Sequence, residues 1–271
     1  SARSAPRRSE RGRVRRARRN NRRTDLNPLR VGRRGVRFPS RAAWDPKGPY
    51  TRGMKLVSVN VGKPQKIAAK SGETGIYKRP AAGPVRIAEG GLEGDTICDL
   101  DNHGGADQAV YLYGTPDYAW WSRALGRELE PGTFGENLTV SGLESATLNV
   151  GDRLVVGDTV LEVTAPRIPC VTLAARMGDP AFVKRFRHAE KPGAYCRVLR
   201  EGSVRVGDAV RLEPYAGEPL GEPLGVLEVF RHFFTPDLNE ATLRRHLAAP
   251  IAVRDRAEKE AALAKLGGLV G

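Results

Sequence analysis

Cys170 is the side chain in this 271-residue chain with the clearest chemical potential, because the run Ala165-Pro-Arg-Ile-Pro-Cys170 holds it in place. Two prolines stiffen the backbone directly after a strand-like pattern, Thr159 to Thr164, and Arg167 precedes the sulfur by three residues. A neighbouring guanidinium favours the thiolate, the form that attacks electrophiles or ligates soft metals. The competing reading is a cysteine used as a small buried hydrophobe. Cys98, in a polar loop, and Cys196, inside a strand pattern, promise less, and packing is the expected role of Cys196.

Two other loops concentrate glycine and polar side chains. In Gly94 to Asp107, the pair Gly104 and Gly105 lets backbone amides approach an anion, while His103 and Asp107 can orient polar groups. In Pro131-Gly-Thr-Phe-Gly-Glu-Asn-Leu138, Glu136 and Asn137 can face one cavity beside Phe134. Read alone, the first loop is equally a polar turn with Asp side chains on local amides, and the second a wide turn satisfied by Asn137.

Absent motifs narrow the field. The chain has no GxxxxGK[ST], no GxGxxG after a strand, no GxSxG and no HExxH, which removes P-loop, Rossmann, α/β-hydrolase and zincin chemistry. His103-Gly-Gly105 is like an esterase oxyanion loop, but no serine elbow accompanies it. Three cysteines without CxxC spacing argue against a disulfide framework and a zinc knuckle, and fit a reducing, cytoplasmic setting.

The charge is lopsided. Lys+Arg number 45 against 31 Asp+Glu, but residues 1–53 hold 18 basic residues against Glu10, Asp25 and Asp45, leaving 27 against 28 in the other 218. A wholly basic nucleic-acid-binding domain is therefore excluded, and any nucleic-acid contact is expected to be weak and confined to the tail. No apolar run approaches the roughly 20 residues of a membrane span, and the Arg-rich start lacks the apolar core of a secretory signal.

The elements that must position these loops follow from punctuation. Residues 1–53, rich in Arg, Ser, Pro and Gly, are expected to be a disordered extension: a basic tail, a targeting peptide, or a stretch upstream of a start at Met54. From 54 to 214 the pattern is mainly β, with strands expected at Lys55 to Val61, Ala109 to Tyr113, Arg153 to Val156, Thr159 to Thr164, Tyr195 to Leu199 and Ala209 to Glu213. Gly-Asp corners recur at Gly151-Asp152, Gly157-Asp158 and Gly207-Asp208. Helices are expected at Thr115 to Leu125, with Thr115 as N-cap, and as a broken stretch from Leu173 to Phe186. After a linker at 215–224, residues 225–271 read as three helices: Val226 to Phe234, Leu238 to Leu247 and Ile251 to Leu266.

In this order, Gly94-Asp95, His103-Gly-Gly-Ala-Asp107 with Ala109-Val-Tyr111, the Pro131 to Leu138 loop, Pro166-Arg-Ile-Pro-Cys170 and Gly193-Ala-Tyr-Cys-Arg-Val-Leu199 together resemble the MOSC domain. That module also occurs at the C-terminus of molybdenum cofactor sulfurases and in amidoxime-reducing proteins, and the likeness is greatest to the bacterial YiiM-like branch. It spans about Met54 to Pro214; the ordered set is specific, whereas each piece alone is weak. The resemblance implies a mixed β-barrel with a three-helix C-terminal appendage, holding the molybdenum cofactor (molybdopterin) with Cys170 as the protein's ligand to the metal. It implies a reductase of N-hydroxylated compounds such as 6-hydroxylaminopurine, a detoxification of N-hydroxylated bases in which the oxygen leaves as water after two electrons and two protons. Arg167 and Arg197 would pair with the cofactor phosphate, and Gly104, Gly105 and Phe134 lie on the cofactor-binding loops. His103, Asp107, Glu136 and Asn137 would bond the pterin edges or deliver protons.

No cysteine follows Cys196, so a separate flavoprotein or iron-sulfur protein is expected to donate electrons. The C-terminal helices would serve as a docking or homodimer surface, or as a cap on the barrel's apolar edge. A different function fits the same residues: a sulfur carrier or cofactor-binding module with Cys170 as persulfide and no turnover of its own.

Overall fold

The computed structural model describes residues 53–69, 72–100, 103–215 and 222–268. The Arg-rich extension up to residue 52 and positions 216–221 of the expected linker lie outside the described residues. The strands are β1 (Leu56–Val61), β2 (Gln65–Lys66), β3 (Glu73–Thr74), β4 (Arg79–Pro80), β5 (Val85–Ala88), β6 (Gly91–Leu92), β7 (Val110–Gly114), β8 (Leu138–Val140), β9 (Arg153–Val156), β10 (Thr159–Ala165), β11 (Ala194–Arg200), β12 (Gly202–Val204) and β13 (Val210–Glu213). The helices are α1 (Thr115–Leu125), α2 (Val171–Met177), α3 (Phe182–Ala189), α4 (Val226–Phe234), α5 (Glu240–Ala248) and α6 (Val253–Gly268).

Eight strands form one sheet in the order β13-β9-β10-β11-β7-β8-β1-β4. All its neighbours are antiparallel except β7 and β8, which run parallel because α1 carries the chain back across the sheet between them. The expected barrel is only partly closed. Its seam is a single bridge between Lys55 and Ala209, reinforced where the Leu56 amide donates to the Asp208 carbonyl at 2.9 Å and the Val210 amide to the Met54 carbonyl at 3.0 Å. Two Gly-Asp corners work as their residue types suggest: Asp152 accepts from the Asn149 and Tyr215 amides, and Asp208 from the Arg205 amide, each at 2.8 Å.

Two packed regions flank the sheet. One is aliphatic, built from alternate residues such as Leu112, Leu138, Val156, Leu161 and Val163, and it includes Val226, Val229 and Ile251 from the C-terminal segment. The other is aromatic: Tyr113, Tyr118, Trp121, Phe134, Phe182 and Phe186 pack where α1 and α3 cover the sheet. Phe134 stacks on Tyr113 at 4.5 Å between ring centres, within the range where aromatic pairs add to simple burial. No described helix is long and apolar enough to cross a membrane.

The expected strands and helices are present within a few residues, with two differences. Helix α1 is capped by Gly114, not Thr115; the Thr115 hydroxyl instead accepts from the Gly142 amide at 3.1 Å. Five short strands, β2 to β6, and β12 were not expected, because two to four residues carry too little alternation to register.

Candidate functional site

β10 ends at Ala165, and the proline-bounded turn that follows delivers Cys170 to the start of α2. The sulfur is half-buried in a cleft with an empty volume of about 640 Å³, also lined by His103, Gln108, Tyr111, Arg167 and Tyr195. Burial alone pushes the Cys170 thiol up, but the polar contact from His103, the Arg167 charge and the Leu173 amide outweigh it and bring the thiol down to about 6. Near neutral pH the sulfur is therefore mostly thiolate.

Arg167 is buried, with its guanidinium 5.0 Å from the centre of the Tyr111 ring. Tyr111 and Tyr195 stand opposite each other in the β7–β11 register, rings 5.0 Å apart, so neighbouring strands supply one aromatic wall. Two buried polar atoms in this lining lack a partner: Arg167 Nε and Gln108 Oε1. Leaving such atoms unsatisfied costs roughly 1–3 kcal/mol each, a cost that an oxygen- and nitrogen-bearing ligand would relieve. Gly135 packs so tightly against Ile76 that a Cβ there would lie 2.7 Å from Ile76 Cγ1, which keeps the wall beside Arg167 at backbone thickness.

The cleft opens into a wider groove that shares His103, Gln108, Cys170 and Tyr195 with it and continues to Phe233, Leu238 and Lys259 of the C-terminal segment. Val171, Phe233 and Leu238 are each more than half exposed, giving this groove an apolar lip beside the sulfur.

The other residues singled out from the sequence divide into two groups. Gly104 and Asn137 line the cleft with His103, Arg167 and Cys170, and Gly104 and Gly105 both adopt φ near +80°, as the turn after His103 requires. Asn137 is also a clamp. Its side-chain oxygen accepts from the Tyr111 amide at 3.0 Å and its Nδ2 donates to Asp95 at 2.8 Å. Phe134, Glu136, Asp107 and Arg197 do not line the cleft. Phe134 belongs to the aromatic packing. Glu136 is fully buried beneath the loop, its Oε1 accepting from Tyr118 at 2.6 Å, Gly132 at 2.7 Å and Thr139 at 2.8 Å. Burial raises its carboxyl above the ordinary range, while those three donors pull it back. Asp107 and Arg197 pair at 2.9 Å and reach across to the C-terminal segment: Asp107 accepts from the Val253 amide at 2.6 Å, and Arg197 donates to the Pro250 and Ile251 carbonyls at 3.0 Å.

Sequence reasoning missed the buried Lys78–Asp95 pair, whose side chains also line the cleft. Burial lowers the lysine's pKa, opposed by Asp95, which also accepts from the Gly62 amide at 2.7 Å. Lys78 lies among two-residue strands, so no periodic signal marked it. Tyr111 could have been found, since Tyr111 and Tyr113 alternate with Val110 and Leu112 on a half-polar strand face. Cys98 is exposed and Cys196 fully buried in β11, its thiol pushed well up by burial; all three cysteines are free.

Among the described residues no group of three or more His, Cys, Asp or Glu could hold a bare metal ion. Cys170 thus suits the role of a single sulfur ligand to a metal that brings its own donors, in a cleft whose unpaired Arg167 and Gln108 atoms fit an anionic, hydrogen-bonding cofactor.

The family model described as the MOSC domain matches residues 99–211. YflK of Bacillus subtilis, an uncharacterised protein, is 42% identical over 159 residues, 58% of this chain and 72% of YflK. A Gibberella moniliformis protein named Reductase is 34% identical over 184 residues, 65% of this chain but 32% of that longer protein. The crystal structure of YiiM from Geobacillus stearothermophilus is similar with a TM-score of 0.63 at 30% identity, covering 78% of this chain and 99% of that one.

Proposed function

Given that the chain belongs to the MOSC-domain family, on its YiiM-like branch, we propose that it is a molybdenum-cofactor-dependent reductase of N-hydroxylated compounds, 6-hydroxylaminopurine among them. The observation that carries this reading is the Cys170 thiolate, held near pKa 6 in a cleft with unpaired buried Arg and Gln atoms. When bound, a molybdenum cofactor supplies oxygen-atom transfer coupled to a two-electron change, the net conversion of N–OH to N–H and water.

Cys170 Sγ would hold the metal, Arg167 the cofactor's anionic group and Gln108 Oε1 a polar edge, while Asn137, engaged with Tyr111 and Asp95, would hold the wall in place. The Tyr111–Tyr195 wall excludes water on one side of the cleft and keeps Arg167 in place. His103, shared by cleft and groove, stands where it can pass a proton from solvent to the leaving oxygen. The apolar lip of Val171, Phe233 and Leu238 suits a flat, weakly polar substrate. Electrons would come from a separate flavoprotein or iron-sulfur protein.

A half-exposed low-pKa thiolate also suits a persulfide carrier, the second reading. Metal analysis of the full chain from a host that makes the cofactor separates the two. Near-stoichiometric molybdenum that is lost in Cys170→Ser, with reduction of 6-hydroxylaminopurine by the loaded wild type, is expected. A protein free of molybdenum and pterin, with cyanide-labile sulfur on Cys170, would establish the carrier instead.

A further inference from the structure

A second pocket lies behind the wall of the Cys170 cleft. It is bounded by Arg79 in β4, Arg127 in the loop after α1, and Arg176 with Met177 at the C-terminal end of α2, and its empty volume is about 850 Å³. The segment Ile76 to Arg79 separates the two: Ile76 and Lys78 line the cleft, whereas Tyr77 carries the Arg176 guanidinium at 4.8 Å and Arg79 lines the second pocket.

Several surface arginines find carboxylates, as in Arg86–Glu201, Arg185–Asp179, Arg231–Glu190 and Arg245–Glu228. Arg79, Arg127 and Arg176 form no ion pair among the described residues, although Glu128 and Glu130 also line the pocket. Arg176 Nε is buried without an acceptor. Burial lowers the Arg176 pKa, and after a compensating effect of Tyr77 the charges of Arg79 and Arg127 lower it further, so the guanidiniums repel one another. Like charges gathered from three elements, one of them locked by stacking, are stabilised by an anion that several forks can grip together.

We propose that this pocket binds a small phosphate monoester. A tetrahedral dianion offers enough oxygens for three guanidiniums, whereas a single carboxylate is satisfied by one fork. The space exceeds that of a bare phosphate ion, and Leu129 and Met177 give its organic part an apolar surface. The site is independent of whatever occupies the Cys170 cleft.

Calorimetric titration of the full chain with adenosine monophosphate, and separately with inorganic phosphate at matched ionic strength, tests this. One saturable site is expected, tighter for the monoester and weakened about ten-fold or more in Arg176→Gln and in the Arg79→Gln/Arg127→Gln double variant. Cys170→Ser is expected to leave it unchanged. Because Arg79 and Arg127 are exposed, the double variant keeps its fold and decides the matter even if Arg176→Gln melts. No saturable binding, equal affinity for bare phosphate, or affinity that survives the arginine substitutions would overturn the proposal, the last assigning the anion to the Arg-rich extension or the cleft.

Discussion

The Glu136 network and the Cys170 cleft lie on adjacent loops and both bury charge, but they surround it differently. Tyr118, Gly132 and Thr139 converge on Glu136 Oε1, while its Oε2 is buried without a partner and lines no part of the cleft. Around Cys170, Arg167 Nε and Gln108 Oε1 remain unmatched, and a thiolate is kept ionised although burial opposes it. What separates the two is access: the unmatched atoms of Arg167 and Gln108 belong to residues lining an open cleft, whereas Glu136 is sealed in packing, a distinction that residue type alone does not make.

Substitutions can break or sharpen that contrast. The largest effect is expected from Glu136→Ala, which orphans three buried donors and should cost about 4 kcal/mol in urea unfolding; a loss below about 1 kcal/mol would dissolve the distinction. Next comes an unmatched group outside the cleft. His246 is 1% exposed, neither ring nitrogen has a hydrogen-bond partner although Nε2 lies 3.9 Å from Glu228 Oε1, and its ring centre lies 4.5 Å from that of His232. Burial first, then the His232 and Lys259 charges, bring its pKa down to about 4 from an ordinary value of 6.5. The folded state therefore resists a proton that the unfolded chain accepts, so this stability is present above pH 6.5 and is lost as pH falls through 4. Roughly 2–3 kcal/mol should disappear across that window, and His246→Leu should flatten this part of the pH–stability curve.

A smaller effect concerns the sulfur. His103→Ala should move the midpoint of Cys170 alkylation from about 6 toward 8, and Arg167→Met should move it less, both read by mass spectrometry of the Cys170 peptide. Cys98, whose thiol burial and Glu73 hold above its ordinary value, reports on each sample as an internal standard. An unchanged Cys170 midpoint in His103→Ala would remove His103 from the site. The smallest effect is expected from Asp107→Asn, which weakens a partly exposed pair with Arg197: about 1 kcal/mol of stability in urea unfolding.

The long strands and the six helices, α2 and α3 as one broken stretch, were legible in the sequence because alternation and helical spacing run long enough there, as in Thr159 to Ala165 and Val226 to Phe234. The cleft was legible through Cys170, Arg167 and His103, where loop chemistry is local. The pairing of Lys78 with Asp95 was not, because they stand 17 positions apart with three short strands between them. Arg197 and Asp107 illustrate the opposite limit. Their types and spacing suit a phosphate and a pterin edge, and only the three-dimensional path of the chain shows that both are engaged by the Pro250 to Val253 backbone.

That engagement bears on how the protein can be divided or recombined. Leu224, Val226, Val229 and Ile251 supply core packing to the sheet, and the Asp107–Arg197 pair fastens the same segment to the loop that carries His103. Cutting the chain near Tyr215, or exchanging the last fifty residues with those of a relative, would therefore expose part of the interior and release the loop that tunes the sulfur. The helices are better treated as a keystone than as a cassette: what is inherited together is the sheet, the His103 loop and the three helices.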